Sequence, residues 1–285
     1  MFEFCKISVL ARDKHKPPFF VGSRLRGGLG YALKSIVCIK ESRECKNCEF
    51  ATSCVFFRFY ESKNVYHKFR FDFELGMSRY DFSFYLFGRE VENAPIIIAS
   101  LHKMLCENGL ESSGKKILFS DIFIFVNDNF CFGSRDKKGL QMPLDFAQKF
   151  IANDESKDFA SRARVLLITP LRIKKHNLFV RDSSLELGDI LRSIYARKLS
   201  LNDMEREKMP DFAGKITRQN LTYIDTFRKS NSQQTSMNLG GLVGEILLEG
   251  LDRQSYEMLK LGEIIAVGKQ CSFGLGKIEV LQDLG

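Results

Sequence analysis

Gly268-Lys269-Gln270-Cys271-Ser272-Phe273-Gly274-Leu275-Gly276-Lys277 sets glycines, lysines and the donors Gln270 and Ser272 within a single short loop. Glycine lets a backbone turn through positive φ and lets N–H groups approach a ligand closely. The loop is not a Walker-type phosphate loop, because no Gly-Lys-Ser/Thr leads into a helix. Nor is it a dinucleotide fingerprint: the preceding residues 264–267 read as a strand, and no helix follows. Residues 277–281 read as the next short strand. The loop therefore sits before the last strand of its unit, and the identity of that unit decides the fold.

Working upstream, a helix is expected over 252–261 and strands near 240–248 and 215–226. A helix over 185–200, N-capped by Ser184 or Ser183, shows the apolar face Leu187, Ile190, Leu191, Ile194 and Leu199. Before it lies a strand over 164–169, ended by Pro170. The order is strand, helix, strand, strand, helix, strand, which is ferredoxin-like. The N-terminal half repeats that order. It has a strand over 2–12, a helix over 23–37, and aromatic-alternating strands over 66–75 and 79–88. A helix over 95–108, opened by Pro95, carries Ile97, Leu101, Met104 and Leu105 at helical spacing. Strands over 116–126 and 130–133 flank the turn Asn127-Asp128-Asn129. The expected fold is α+β: two tandem ferredoxin-like (βαββαβ) domains with a C-terminal glycine-rich loop. The first covers 1–135 with a cysteine-rich loop inserted at 38–54. Residues 136–161 are a linker or irregular insertion, and the second domain covers 162–285.

The chain has 285 residues, 44% of them hydrophobic, enough for two cores of ordinary size. Its 26 phenylalanines and absent tryptophan make Phe the main core aromatic. No apolar run approaches the roughly 20 residues of a membrane span. The start, Met1-Phe2-Glu3-Phe4-Cys5-Lys6, lacks the basic, apolar and small-residue regions of a signal peptide. A cytoplasmic protein is expected, where disulfides are rare. A net charge of +8 favours a polyanionic partner, nucleic acid or an anionic membrane surface.

Three further segments carry chemistry. On the first helix, Leu25, Leu29, Ala32, Leu33, Ile36 and Val37 fall on one side, and Arg24, Gly27, Gly28, Tyr31, Lys34 and Ser35 on the other. Glycines inside a helix cost about 1 kcal/mol each relative to Ala. Either a ligand or tight packing against a neighbour would offset that cost. The second segment is Cys38-x6-Cys45-x2-Cys48-x5-Cys54, whose thiolates suit a closed tetrahedral zinc; an iron–sulfur cluster uses the same ligands. Four free thiols on a loop is the plain alternative. Cys5, Cys106 and Cys131 read as core. The third segment runs from Arg162 to Lys198, with nine lysines and arginines against three acids. In it, Arg172, Lys174, Lys175 and His176 pair hairpin-like with 178–181. Phosphate binding explains this basic stretch directly, and a solvated sheet edge is the alternative. In the glycine-rich loop, Lys269 and Lys277 add charge, and Phe273 could pack or stack on a base.

The sequence resembles the CRISPR precursor-RNA processing endoribonucleases of the RAMP superfamily. Three stretches carry the resemblance. The first is Leu25-Arg26-Gly27-Gly28-Leu29-Gly30-Tyr31-Ala32-Leu33 followed by the four cysteines. The second is Thr169-Pro170-Leu171-Arg172 followed by a helix ending Ala196-Arg197-Lys198-Leu199. The third begins Gly240-Gly241-Leu242-Val243-Gly244-Glu245-Ile246 and runs through Leu261-Gly262-Glu263 to the glycine-rich loop.

The resemblance implies repeat RNA bound along a cleft and basic face, and metal-independent cleavage to a 2′,3′-cyclic phosphate and a 5′-hydroxyl. It implies CRISPR repeat RNA as partner, other CRISPR-associated proteins as further partners, no membrane, and a monomer or homodimer. No cofactor is expected for catalysis; a structural zinc is expected ahead of an iron–sulfur cluster. Family members often use a His in or just after the first helix, and here there is none between His15 and His67. The acid–base candidates are therefore Tyr31, Lys34, His15 and His176. The RNA-binding candidates are Arg24, Arg26, Arg172, Lys174, Lys175, Gly268, Lys269, Gln270, Ser272, Phe273, Gly274, Gly276 and Lys277. The other readings are a non-catalytic RAMP subunit that holds guide RNA and a metal-cluster redox protein.

Overall fold

The computed structural model describes residues 1–40, 42–112, 114–135, 139, 141–143, 145–152, 159–229 and 236–283. Part of the expected linker, residues 136–138, 140, 144 and 153–158, lies outside the described residues. The chain divides into two units, Glu3–Gln148 and Met1–Phe2 with Lys149–Gly285.

The N-terminal unit contains β1 (Phe2–Ala11), α1 (Gly22–Val37), β2 (Phe69–Asp72), β3 (Phe82–Phe87), α2 (Ala94–His102), β4 (Ile122–Val126) and β5 (Asn129–Gly133). Its antiparallel sheet runs β2-β3-β1-β4-β5. Alternation along β1 turns Cys5, Ile7, Val9 and Ala11 inward, each essentially unexposed. They meet Leu25, Leu29, Ala32 and Leu33 of α1 and Ile97, Ile98 and Leu101 of α2 in one core. Phenylalanine fills it: Phe69 stacks on Phe59 at 4.7 Å and on Phe84 at 5.3 Å. Each fully buried ring contributes about 1.5–3 kcal/mol. Beyond His102 the helix loosens into a π-helical segment, Lys103–Asn108, which keeps Met104 and Leu105 buried until Gly109 ends it at φ 71°. Asn127 and Asp128, both at positive φ, make the two-residue turn between β4 and β5, so Asn129 already belongs to the strand.

The C-terminal unit contains β6 (Ala163–Leu171), α3 (Leu187–Leu201), β7 (Lys215–Ile224), β8 (Gly241–Glu249), α4 (Arg253–Ile265) and β9 (Ile278–Gln282). Its sheet runs β7-β8-β6-β9, all antiparallel. In both units the strands lie second, third, first, fourth. That is the ferredoxin-like order twice, so the α+β expectation holds.

Three local expectations are corrected. β6 continues through Pro170 to Leu171. Pairing to β9 has ended at Leu167, and pairing to β8 shifts register just there, so the missing proline N–H interrupts no regular ladder. The helix α3 is capped by Glu186, not by Ser183 or Ser184. Glu186 and Asp189 form a capping box, an acidic version of the Ser/Thr pattern. Residues 264–267 are not a strand: α4 runs to Ile265, and Ala266 closes it at φ 62°. Tyr256, Leu259 and Ile265 continue one buried stripe, and a short apolar run does not itself distinguish strand from helix.

Candidate functional site

The glycine-rich loop follows α4 and folds back on β6. Gly276 adopts φ +74°, and a Cβ there would lie 1.8 Å from the Val267 carbonyl oxygen. Val267 N–H donates to Gly276 O at 2.9 Å, so the two chain segments meet at backbone distance. Gly268, at φ +87°, faces the Arg172 carbonyl, where a Cβ would sit 2.5 Å away. Its N–H donates to Ser193 Oγ at 2.8 Å, and Lys269 N–H donates to Arg172 O at 2.9 Å. Thr169 Oγ1 donates to Gly274 O at 2.8 Å and accepts Lys277 N–H at 2.9 Å.

Arg172 is the hub. It is 6% exposed. Its Nε donates to Gln270 Oε1 at 2.9 Å, and its Nη1 donates to Gly240 O. Its guanidinium lies 4.2 Å from the centroid of the Phe179 ring. Burial pushes its pKa down, Tyr223 opposes that shift, and Arg181 adds to it. One side chain thus ties together β6, the segment before β8, the hairpin and the loop.

This geometry changes the loop's role. The N–H groups of Gly268, Lys269, Phe273, Gly274, Gly276 and Lys277 already donate within the protein, so they do not form a phosphate cradle. Ser272 and Phe273 are 6% and 7% exposed. Phe273 packs inward and offers no free face to a base. Gly274 closes the short turn in the left-handed region at φ 82°, Gly276 makes room for the Val267 carbonyl, and Arg172 braces the loop instead of meeting solvent. Lys269 is exposed, and Lys277 is half-buried. Sequence reasoning missed Thr169 and Ser193, whose hydroxyls fix the loop. The signal for Thr169 was a hydroxyl inside an otherwise apolar strand.

Beside the loop, Lys174–Lys175 pairs with Leu178–Phe179. His176 and Asn177, both at positive φ, form the exposed tip. Lys174 is exposed, with Nζ 5.2 Å from the Phe179 ring centroid. Lys175 is occupied by Glu186 at 2.7 Å and Asp189 at 3.7 Å. Those carboxylates, the Glu186 hydrogen bond first, raise its pKa.

In the N-terminal unit, Tyr31 is 63% exposed on α1. Lys34 turns from it to the cysteine segment, 5.0 Å from the Phe56 ring centroid and within hydrogen-bonding reach of Cys45. Arg24 donates to Tyr80 Oη at 2.9 Å, and the Arg26 guanidinium lies 4.7 Å from the Tyr60 ring centroid. The helix glycines answer to packing. A Cβ on Gly28 would meet Leu110 and one on Gly30 would meet the Tyr60 ring, each at 2.7 Å, whereas Gly27 faces open space. His15, in the loop before α1, places Nε2 3.0 Å from Leu118 O and packs edge-on against Phe119. A carbonyl only accepts, so Nε2 carries the proton of that bond and Nδ1 is left able to accept one.

The cysteine segment is built from turns: Cys48 N–H donates to Cys45 O, and Cys54 N–H donates to Phe50 O. Burial raises the Cys45 thiol, the Lys34 ammonium opposes that shift, and Glu61 and Cys38 reinforce it. Among the described residues no group of three or more His, Cys, Asp or Glu side chains is arranged to hold a metal ion. Cys5 and Cys131 are buried and Cys106 half-buried. Burial pushes Cys5 up to about 12 and Cys106 up to about 11. Among the described residues no helix is long and apolar enough to cross a membrane.

Residues 165–278, from β6 through the loop into β9, match the family model described as CRISPR-associated endoribonuclease Cas6. Residues 165–278 thus belong with the Cas6 family. Residues 2–129 match a model described as an N-terminal domain. The fold is that of solved Cas6 structures. A Thermus thermophilus Cas6 product complex is 16% identical, with a TM-score of 0.57 over 98% of this chain and 99% of that one. A Cas6-related protein from Pyrococcus furiosus is 13% identical, with a TM-score of 0.52 over 99% of this chain and 100% of that one. A chain of a Cas6-RT-Cas1–Cas2 complex is 14% identical, with a TM-score of 0.54 over 99% of this chain and 29% of that one. No curated protein matches the chain.

Proposed function

We propose that this chain cuts CRISPR precursor RNA within its repeats by metal-independent acid–base chemistry. The match of residues 165–278, the segment that Arg172 braces, to the endoribonuclease family carries this reading. The ribose 2′-oxygen attacks the adjacent phosphorus, and the bond from phosphorus to the 5′-oxygen breaks. A base takes the 2′-hydroxyl proton and an acid returns one to the 5′-oxygen. The products are a 2′,3′-cyclic phosphate and a 5′-hydroxyl.

His15 fits the base, because its Leu118 contact leaves Nδ1 to accept a proton. Tyr31 fits the acid, as an exposed phenol O–H on α1. Lys34, engaged at Cys45 and Phe56, is not assigned to catalysis. Lys174 and His176 on the hairpin and Lys269 on the loop fit RNA backbone contacts. Association with other CRISPR proteins is supported by the Cas6-RT-Cas1–Cas2 neighbour.

The test is incubation of the purified chain with its cognate repeat RNA in EDTA. One cut with a cyclic-phosphate end is expected. His15→Ala should slow that cut by about 10²–10⁴-fold without changing affinity. Tight binding with no cut would leave a subunit that only holds guide RNA.

A further inference from the structure

The face of the N-terminal sheet turned away from α1 and α2 carries a patch that the cutting chemistry does not use. On β1 the outward residues are Phe4, Lys6, Ser8 and Leu10, since the alternate ones enter the core. The register sets Leu10 opposite Phe123 and Ser8 opposite Phe125 on β4, and Phe125 opposite Phe130 on β5. Leu10 is 42% exposed and Phe130 41%. The Phe125 and Phe130 rings meet edge to face, with centroids 5.8 Å apart. Gly133 stands across from Phe123; a Cβ there would touch both the Phe123 and Phe130 rings, at 3.4 and 3.5 Å, so glycine leaves those rings uncovered.

Single exposed apolar residues are ordinary, but three adjoining rings on one sheet face are not. Polar groups border them. Ser8 Oγ and Ser83 Oγ are 3.0 Å apart in the middle of the sheet. The Arg12 guanidinium lies 4.7 Å from the Phe123 ring centroid. The chain leaving β1 adds exposed Lys14 and Lys16. The neighbouring acids are committed elsewhere. Asp13 accepts from the Ser120 and Asp121 backbone, Asp121 pairs with Arg135 at 3.5 Å, and Asp128 pairs with Lys6 at 3.1 Å. Aromatic faces edged by hydroxyls and a surplus of cations suit unpaired bases on a phosphate backbone. A protein partner would gain the apolar area but would not need the cations.

We propose that the outward face of the N-terminal sheet is a second RNA-contact surface, on which unpaired bases stack against Phe125 and Phe130 beside the Ser8–Ser83 pair, with Arg12 and the Lys14–Lys16 stretch at the phosphates. The proposal rests on the reading of the chain as an RNA-cutting enzyme and names where the single-stranded part of that RNA lies.

The chain contains no tryptophan, so F130W installs a lone indole reporter on an exposed position. The full-length variant is titrated with cognate repeat RNA and, separately, with single-stranded oligouridylate, while binding is followed in parallel by filter retention. Saturable quenching of the indole fluorescence by both RNAs is expected. F130A should weaken oligouridylate binding roughly tenfold, within the range for loss of one stacked base, with an unchanged circular dichroism spectrum. Retention of RNA on the filter with unchanged fluorescence would overturn this proposal alone. Retention of neither RNA would overturn it together with the nuclease reading. A fluorescence change that follows protein concentration without RNA, with a dimer in sedimentation, would assign the face to a second copy of the chain and likewise overturn the proposal.

Discussion

Two glycine-rich segments of this chain look alike in sequence and are built for different contacts. Residues 27–30 sit on α1, where Gly28 and Gly30 make room for the Leu110 side chain and the Tyr60 ring. Residues 268–276 sit beside β6, where Gly268 and Gly276 make room for the carbonyls of Arg172 and Val267. A side chain can turn aside more readily than a backbone carbonyl, and the Arg172 carbonyl is further held by the Lys269 N–H. Gly28, Gly30, Gly268 and Gly276 let the protein close on itself, and Gly27 alone of the α1 glycines faces open space.

The largest effect should come from Gly276→Ala. Its Cβ would lie 1.8 Å from Val267 O, at a φ that alanine disfavours. We expect a loss of about 3 kcal/mol or more, read as a lowered denaturation midpoint, together with loss of RNA cutting. A stable, active Gly276→Ala protein would break the claim that this loop is fixed by its backbone. Next comes Arg172→Met, which fills similar space but leaves Gly240 O and Gln270 without their donor. About 2–3 kcal/mol should be lost, because a buried acceptor then goes unsatisfied. RNA affinity should fall with it while the slope of affinity against salt stays unchanged, since the Arg172 guanidinium is taken up by Gln270, Gly240 O and Phe179.

Gly30→Ala should be milder. The Tyr60 ring stacks on Phe56 at 5.1 Å and its hydroxyl donates to Arg26 O at 2.9 Å, so it resists displacement. A net loss of about 1 kcal/mol is expected, after alanine's helix advantage is set against overpacking. Unfolding in urea measures it.

Much of this architecture is legible in the sequence. The alternation of β1, the stripe of α1 and the twofold strand order follow from periodicity, which a chain carries locally. The site is less legible, because satisfaction of polar groups is not local. Arg172 stands in a basic stretch and reads as surface, yet its partners lie 68 and 98 residues further on. Phe273 reads as a free ring for the same reason. The spacing of Cys38, Cys45, Cys48 and Cys54 is plain, but where the thiols go depends on turns whose geometry spacing does not encode. Residues 264–267 show the limit of periodicity: four apolar residues fit a strand as well as the end of α4.

Gly27→Ala should give the smallest effect, and it tests the comparison most directly. Gly27 lies inside α1, and a Cβ there would meet nothing within 4 Å. Replacing a helix glycine where nothing resists should stabilise the protein by about 0.5–1 kcal/mol, chiefly by restricting the unfolded chain. Cutting of repeat RNA should stay at the native rate, because the glycine serves no ligand. The opposite pair of results, unchanged stability with slower cutting, would mean that RNA approaches the α1 backbone at Gly27. That would restore the ligand reading on α1, next to Tyr31, while leaving the loop at 268–276 as a brace. The two glycine segments would then differ in function as well as in contact.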